Sequence, residues 1–246
     1  MPVYFIQSQS IRNHQIALTG DLAHHLRDVL RCRPGEIIAL VDEKQVRYRA
    51  ELDQVTKQKL VAKILQRGES ETQPNRSVTL AQAVLKGPKM DQVIQKATEL
   101  GMNILIPVVT ERTIARPRAE RESHQRDRWE KIARAASQQC GRTDIPAVLS
   151  VISLDELLKN SPSSSLKLAL WEQESERSLK SSLTGLKPGD SITVLIGPEG
   201  GFSPSEIEKV RKAGWTSVSL GRRILRAETA GMAVLAVLQY EQTELR

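Results

Sequence analysis

The sequence predicts an α/β protein in two parts: a small β-barrel or sheet over residues 1–73, then a layered domain with a mostly parallel sheet over residues 74–246. Three observations carry this expectation. Short strand-like runs crowd the first 70 residues, strand and helix patterns alternate after residue 76, and the polar stretch 67–76 separates the two regimes. With 246 residues, 39% hydrophobic and 26% charged, the chain has the composition of a globular protein and enough length for two cores, which excludes disorder as its general state.

In the first part, residues 3–6, 36–41, 46–52 and 60–65 read as strands, separated by turn chemistry such as Arg33-Pro34-Gly35 and Asp42-Glu43. One helix interrupts them over 24–31, with Leu26, Val29 and Leu30 on one face behind an Asp21 cap. The stretch 67–76 is expected to be a linker with the boundary near Gln73. In the second part, strands are expected at 77–84, 103–109, 166–171, 191–196 and 216–220, and helices at 89–100, 121–139, 154–159, 204–213 and 226–242. Met90, Val93, Ile94, Ala97 and Leu100 form one stripe of the first of these helices, and Gly101 ends it. The Ser-rich piece 160–165 reads as a loop.

The net charge is +7, and its excess lies in the middle of the chain. Between Arg112 and Arg134 stand eight basic groups against four acidic ones. That is either the footprint of a phosphate-backbone partner or a solvated helix face laced with pairs such as Glu130 with Arg134. There is no apolar run of the roughly 18 residues a membrane span needs, and the N-terminus lacks a secretory pattern, so a cytoplasmic protein without membrane partner is expected. Cys32 and Cys140 are expected as free thiols, and His14, His24, His25 and His124 have no metal-ligand spacing. Without a nucleophile elbow or a zinc motif, catalysis must rest on positioning and charge.

Three segments could carry chemistry. The apolar strand 191–196 runs into Gly197-Pro198-Glu199-Gly200-Gly201-Phe202 and then into a helix opened by Ser203-Pro204. The glycine spacing fits neither a Walker loop nor a dinucleotide fingerprint, which leaves a ligand site at the carboxyl edge of the sheet or simply a tight turn. The segment Leu220-Gly-Arg-Arg-Ile-Leu-Arg-Ala-Glu-Thr-Ala-Gly231 repeats the strand-then-glycine pattern ahead of a helix of small apolar residues; Arg226 and Glu228 could clamp an anion, or the arginines could be solvated. Lys86 and Lys89 flank a turn at a strand end where phosphate could be met, whereas Lys96 and Glu99 are spaced to pair with each other.

Taken in order, Lys86-Gly-Pro-Lys-Met-Asp, Lys96-Ala-Thr-Glu-Leu-Gly, Arg128-Trp-Glu-Lys-Ile-Ala-Arg-Ala-Ala with Gln139-Cys-Gly-Arg142, Ile196-Gly-Pro-Glu-Gly-Gly-Phe202 and Leu220-Gly-Arg-Arg-Ile-Leu-Arg-Ala-Glu-Thr-Ala230 resemble the SPOUT class of methyltransferases. Within it they are most similar to the bacterial 16S ribosomal RNA uridine-N3 methyltransferases, the ribosomal small subunit methyltransferase E family. The resemblance covers residues 77–240 closely, and the N-terminal part looks like that family's PUA-like RNA-binding barrel. One departure is Ala136-Ser-Gln-Gln-Cys140, where the family usually carries an acidic residue before the Gln and a serine before the Gly, so no acid role transfers to Ser137.

The resemblance implies a C-terminal domain with a deep trefoil knot, where pattern alone would draw an open doubly wound sheet. It implies S-adenosyl-L-methionine as cofactor, held by Ile196, Gly197, Pro198, Glu199, Gly200, Gly201, Leu220, Gly221, Ile224, Leu225, Thr229 and Ala230. It further implies a homodimer, for which the helix 226–242 is suited, although that helix could equally be ordinary core. The expected substrate is 16S ribosomal RNA, within the assembled small subunit. Because uridine N3 carries a proton at neutral pH, a fixed cation is needed to favour the uridinate; Arg226 is expected in that role, with Glu228 orienting it or helping to remove the proton. Lys86, Lys89, Arg134 and Arg142 are expected at RNA phosphates, and no metal is expected. Two other readings stay open: a non-catalytic RNA-binding assembly factor, and a ribose 2'-O or guanine-N1 methyltransferase of the same class.

Overall fold

The computed structural model describes residues 1–70, 77–116, 119–160, 166–187 and 189–241. The chain divides into two compact units, Met1–Thr72 with Ser137–Asp144, and Gln73–Ala136 with Ile145–Arg246.

The first unit contains β1 (Val3–Phe5), a 3-10 turn (Ser8–Ser10), β2 (Ile11–Arg12), β3 (Gln15–Leu18), α1 (Gly20–His24) running on into a π-helical turn (His25–Val29), β4 (Ile37–Val41), β5 (Val46–Val55) and β6 (Leu60–Ser70). The strands form one sheet in the order β1-β4-β5-β6-β3-β2, antiparallel except for the parallel pair β1 and β4. Alternate residues of β5, Val46, Tyr48, Ala50 and Leu52, are buried with Ile16, Leu18, Leu26, Leu40 and Leu60, as the two-residue period of a half-buried strand requires. Asp42 is buried at the β4–β5 turn and accepts from the Val46 N–H at 3.0 Å and the Tyr48 hydroxyl at 2.9 Å.

Several local expectations are corrected here. Helix α1 begins after Thr19, with Asp21 inside its first turn rather than at the cap, and Thr19 makes no side-chain capping bond. The π turn shifts the helical period, so Leu26 is buried while Val29 and Leu30 are 60% and 46% exposed. Strand β6 continues to Ser70, so residues 67–70 are strand and not linker; residues 71–76 lie outside those described. Strands β2 and β3 were not anticipated.

The second unit contains β7 (Val78–Ala83), α2 (Pro88–Glu99), β8 (Ile104–Val109), α3 (Ala119–Cys140, of which Ser137–Cys140 falls in the first unit), β9 (Ala147–Val148), β10 (Ile152–Ser153), α4 (Leu154–Lys159), β11 (Leu166–Leu170), α5 (Leu179–Leu183), β12 (Ile192–Ile196), α6 (Pro204–Lys212), β13 (Thr216–Val218) and α7 (Ala227–Glu241). Its sheet is parallel throughout, in the order β10-β8-β7-β12-β11-β13, with β9 also on β8. The alternation of strand and helix therefore yields the mostly parallel α/β sheet it predicts. Strand β12 lies between β7 and β11, covered on both faces, which is why all five of its residues are buried and why it reads as an unbroken apolar run. The helices follow their sequence signals. Pro88 opens α2, whose stripe of Met90, Val93, Ile94 and Ala97 is buried. Ser203 and Glu206 form a capping box on α6. Strands β9 and β10 and helix α5 were not foreseen, and the expected loop at 161–165 lies outside the described residues. On α3, Glu130 pairs with Arg126 at 3.0 Å instead of serving Arg134, and Arg128 reaches Asp91 at 2.5 Å.

Among the described residues no helix is long and apolar enough to cross a membrane. Both cysteines are free.

Candidate active site

Because β11, β12 and β13 are neighbours and parallel, the three segments leaving their carboxyl ends converge, the place where open α/β sheets gather ligands. They enclose a cleft of about 570 Å³, bordered by Leu170–Glu172, Ile196–Phe202, Val218–Glu228, Ala230, and Lys89 from the first turn of α2.

The bend after β12 is tight. The Gly201 N–H donates to the Pro198 carbonyl at 2.9 Å with Gly201 at φ +66°, and a Cβ there would stand 2.6 Å from the Glu172 carboxylate. Arg112, in the segment after β8, donates to the Gly200 carbonyl at 2.9 Å, and the Glu111 N–H reaches Glu206 at 2.7 Å, so the bend is also tied from outside. The bend after β13 turns at Gly221, whose φ of +114° is open to glycine and hostile to other residues; the Gly221 N–H donates to Ser219 Oγ at 3.1 Å.

The charges are arranged rather than scattered. Lys89 Nζ lies 3.5 Å from Glu199 Oε1 and 3.7 Å from Glu228 Oε1. Glu199 also accepts the Lys86 N–H at 3.2 Å. Burial pushes the Glu199 carboxyl up, but N–H groups of Glu199 itself and Lys86, with the Lys89 ammonium, outweigh this and hold it below the usual carboxylate range. Glu228 is buried in the first turn of α7, where the helix dipole favours a negative charge. Among the described residues its Oε2 has no hydrogen-bond partner, and neither does the buried Trp171 Nε1.

A second cluster supports the cleft from behind. Glu174, in the segment after β11, accepts from the Ser217 hydroxyl of β13, from Arg211 Nη2 of α6 at 2.9 Å, and from the Glu176 and Arg177 N–H groups. The Arg211 guanidinium in turn covers the Trp171 ring at 5.2 Å. Burial pushes the Glu174 carboxyl up, yet these donors outweigh it and bring it from 4.5 down to about 2. With the folded value depressed, the network contributes stability that is fully present above about pH 4.5 and is lost as pH falls toward about 2. Denaturant midpoints measured across this range are expected to fall with acid in the wild type and to vary less in Glu174→Gln, which starts lower at neutral pH.

The structure brings Lys89, Ile196, Gly197, Pro198, Glu199, Gly200, Gly201, Leu220, Gly221, Ile224, Leu225, Arg226, Glu228 and Ala230 to this one cleft. Ile224 borders it while 79% exposed, so it is no closed apolar wall. Thr229 is exposed on α7 and is not part of the lining. Lys86 contributes a backbone N–H to Glu199, and Lys89 faces two carboxylates rather than open solvent. Glu228 has Lys89, not Arg226, as its ion-pair partner. Arg134 lies on α3, and Arg142 belongs to the first unit, where it is paired with Asp144 at 2.6 Å with little exposure. Lys96 and Glu99 pair at 2.9 Å, as their spacing suggests. Sequence reasoning missed Trp171, Glu172 and Phe202 as cleft residues, although Trp171 and Phe202 each follow directly on an apolar strand or its glycine bend.

Residues 71–239 match the RNA methyltransferase domain family, and residues 18–65 match the RNA methyltransferase PUA domain. Fold and cleft together thus define an RNA methyltransferase of the α/β type. Among relatives, the chain is 30% identical to the ribosomal RNA small subunit methyltransferase E of Bacillus subtilis over 252 aligned positions, covering 100% of this chain and 98% of the other. It is 29% identical to the protein of that name from Synechocystis, covering 94% of this chain and 75% of the other. Among solved structures, ribosomal RNA small subunit methyltransferase E from Neisseria gonorrhoeae bound to S-adenosyl methionine superposes with a TM-score of 0.85 at 32% identity, covering 98% of each chain. The chain belongs to the ribosomal RNA small subunit methyltransferase E family.

Proposed function

We propose that this protein transfers a methyl group from S-adenosylmethionine to N3 of a uridine in 16S ribosomal RNA of the small subunit. The observation that carries the reading is the convergence of two glycine bends and the first turn of α7 on one cleft beside three parallel strand ends.

The residues present fit the cofactor. A cleft of about 570 Å³ is in the range of sites for small organic ligands. Leu170, Ile196, Phe202, Leu220 and Leu225 offer apolar surface for a base, and the bends 197–201 and 220–225 offer backbone groups with no side chain in the way at the glycines. Trp171 Nε1 is a buried polar atom without a hydrogen-bond partner among the described residues. When bound, S-adenosylmethionine supplies an electrophilic methyl group attached to a sulfonium.

The chain's own residues handle the base. N3 lies on the Watson–Crick edge, so the target uridine must be unpaired or flipped out to reach the cleft. Arg226, exposed where the last bend meets α7, favours the uridinate by charge, and Glu228 takes part in removing the proton. With Lys89 as its ion-pair partner, Glu228 acts on the proton rather than as an orienter of Arg226.

The N-terminal unit serves RNA binding as a PUA-like barrel, and the segments around β12 and β13 form a trefoil knot; the insertion of β12 between β7 and β11 supports the latter. Lys86 and Arg134 meet RNA phosphates, so binding weakens with salt. Arg142 contributes less, being held by Asp144. The substrate is the assembled subunit, in the cytoplasm. The chain works as a homodimer through α7, whose Val237 and Tyr240 are 38% and 69% exposed beside partly exposed Ala233 and Ala236. Sedimentation of Tyr240→Glu combined with Val237→Glu is expected to give a monomer where the wild type gives a dimer.

Calorimetry with S-adenosylmethionine and mass spectrometry of nucleosides from 16S ribosomal RNA, with and without the gene, test the reading. Uptake of the cofactor and gene-dependent 3-methyluridine are expected. Absence of uptake, or a 2'-O-methyl nucleoside or 1-methylguanosine as the gene-dependent product, overturns it.

A further inference from the structure

The Lys89 ammonium stands between two carboxylates supplied by different segments, Glu199 from the bend after β12 and Glu228 from α7. A lysine kept for a nucleic-acid phosphate would be solvated; this one borders the cleft and has anionic neighbours already. Glu199 is fixed independently by the Lys86 N–H, so the Glu199 side of the bridge is anchored and Glu228 is the member whose setting depends on Lys89. The contact is also one-sided. Lys89 Nζ faces Glu228 Oε1 across 3.7 Å, whereas Oε2 is buried and has no hydrogen-bond partner among the described residues.

Resting on the uridine-N3 reading, we infer that Lys89 is a positioning residue for proton removal: pairing with Glu228 from its anchor on Glu199, it sets the Glu228 carboxylate to accept the N3 proton of the target base. The N3–H bond breaks, the proton passes to the Glu228 carboxylate, and the electron pair stays on N3; the proton then leaves to solvent. A carboxylate oxygen suits uracil, whose N3 bears hydrogen, and repels cytosine, whose N3 is a bare acceptor, so the same arrangement selects the base. The other charged groups bordering this space are Glu172 from the end of β11, Glu199 from the bend after β12, and Arg222, Arg223 and Arg226 from the bend after β13. Asp91, on the same helix as Lys89, is engaged by Arg128 of α3.

The test compares wild type, Lys89→Met and Lys89→Arg in the full chain, with ribosomal subunits as substrate. Lys89→Met is expected to lower kcat at neutral pH by about tenfold or more, to leave KM for the subunit within about twofold, and to move the acid limb of the kcat profile to higher pH; Lys89→Arg restores most of the rate. In cofactor-free protein, the carbon-13 signal of the Glu228 carboxyl, identified by its loss in Glu228→Gln, is expected to move in Lys89→Met and to return toward its place in Lys89→Arg. A raised KM with kcat and its pH profile unchanged makes Lys89 a phosphate contact and overturns the inference, as does an unmoved Glu228 signal. Wild type that forms no 3-methyluridine overturns the functional reading itself, which separates the two failures.

Discussion

Glu228→Gln is expected to lower kcat for uridine methylation by about 10²- to 10⁴-fold, the usual contribution of a positioned base, while cofactor uptake stays within a few-fold of wild type. The substitution keeps the shape of a buried side chain and removes its charge, so a folding defect does not imitate the result. Arg226→Ala is expected to cost about 10²-fold, as loss of one group stabilising a developing negative charge commonly does. The measurement is steady-state turnover at saturating cofactor and subunit, beside calorimetry of the cofactor alone. Turnover of Glu228→Gln close to that of wild type would remove Glu228 from the chemistry.

Gly221→Val is expected to weaken S-adenosylmethionine binding by about tenfold or more without lowering the melting temperature in proportion. A φ of +114° is available to glycine and strained for any residue with a Cβ, and no neighbouring atom lies within 4 Å of the position. The effect is therefore one of backbone alone, and the bend must shift to relieve it. A strain of roughly 1–3 kcal/mol, felt in the bound geometry, corresponds to a five- to 150-fold change in affinity. Gly201→Val is expected to act in the same direction, with its Cβ also crowding the Glu172 carboxylate. Calorimetry that finds wild-type affinity in both variants would show that neither bend holds the cofactor.

Much of the second unit is legible in the sequence because its elements are long and their periods are clean. Strand β12 is a run of five buried apolar residues, and α2 carries its stripe at helical spacing. Elements of two or three residues have no period to read. Strands β9 and β10 exist because β8 offers them an edge, a fact of the sheet and not of Ala147–Val148 or Ile152–Ser153 themselves. In the first unit the alternation of Gln15–Leu18, with Ile16 and Leu18 inward, was present but short. The exposure of Val29 and Leu30 follows from a π turn that no propensity scale anticipates.

The candidate site divides in the same way. Both glycine bends are local signals, visible as strand ends followed by glycine. Trp171 joins them only because β11 sits between β12 and β13, and sheet order is written in no single segment. The pairing of Lys89 with Glu199 and Glu228, 110 and 139 positions away, is likewise a product of tertiary structure, so sequence alone assigned Lys89 to an RNA phosphate. Arg112 was counted with the basic run of the middle segment, yet its guanidinium is engaged by the Gly200 carbonyl.

The first unit is not a contiguous stretch of chain, since Ser137–Asp144 belongs to it and Arg47 Nη2 donates to the Gly141 carbonyl at 2.6 Å. During synthesis the leading 72 residues emerge without that piece, and translation at about 5–20 residues per second leaves them waiting roughly 4–14 s before it is made. The amino-terminal unit of this protein is therefore begun first and completed only after the opening strands and helices of the second unit have been made.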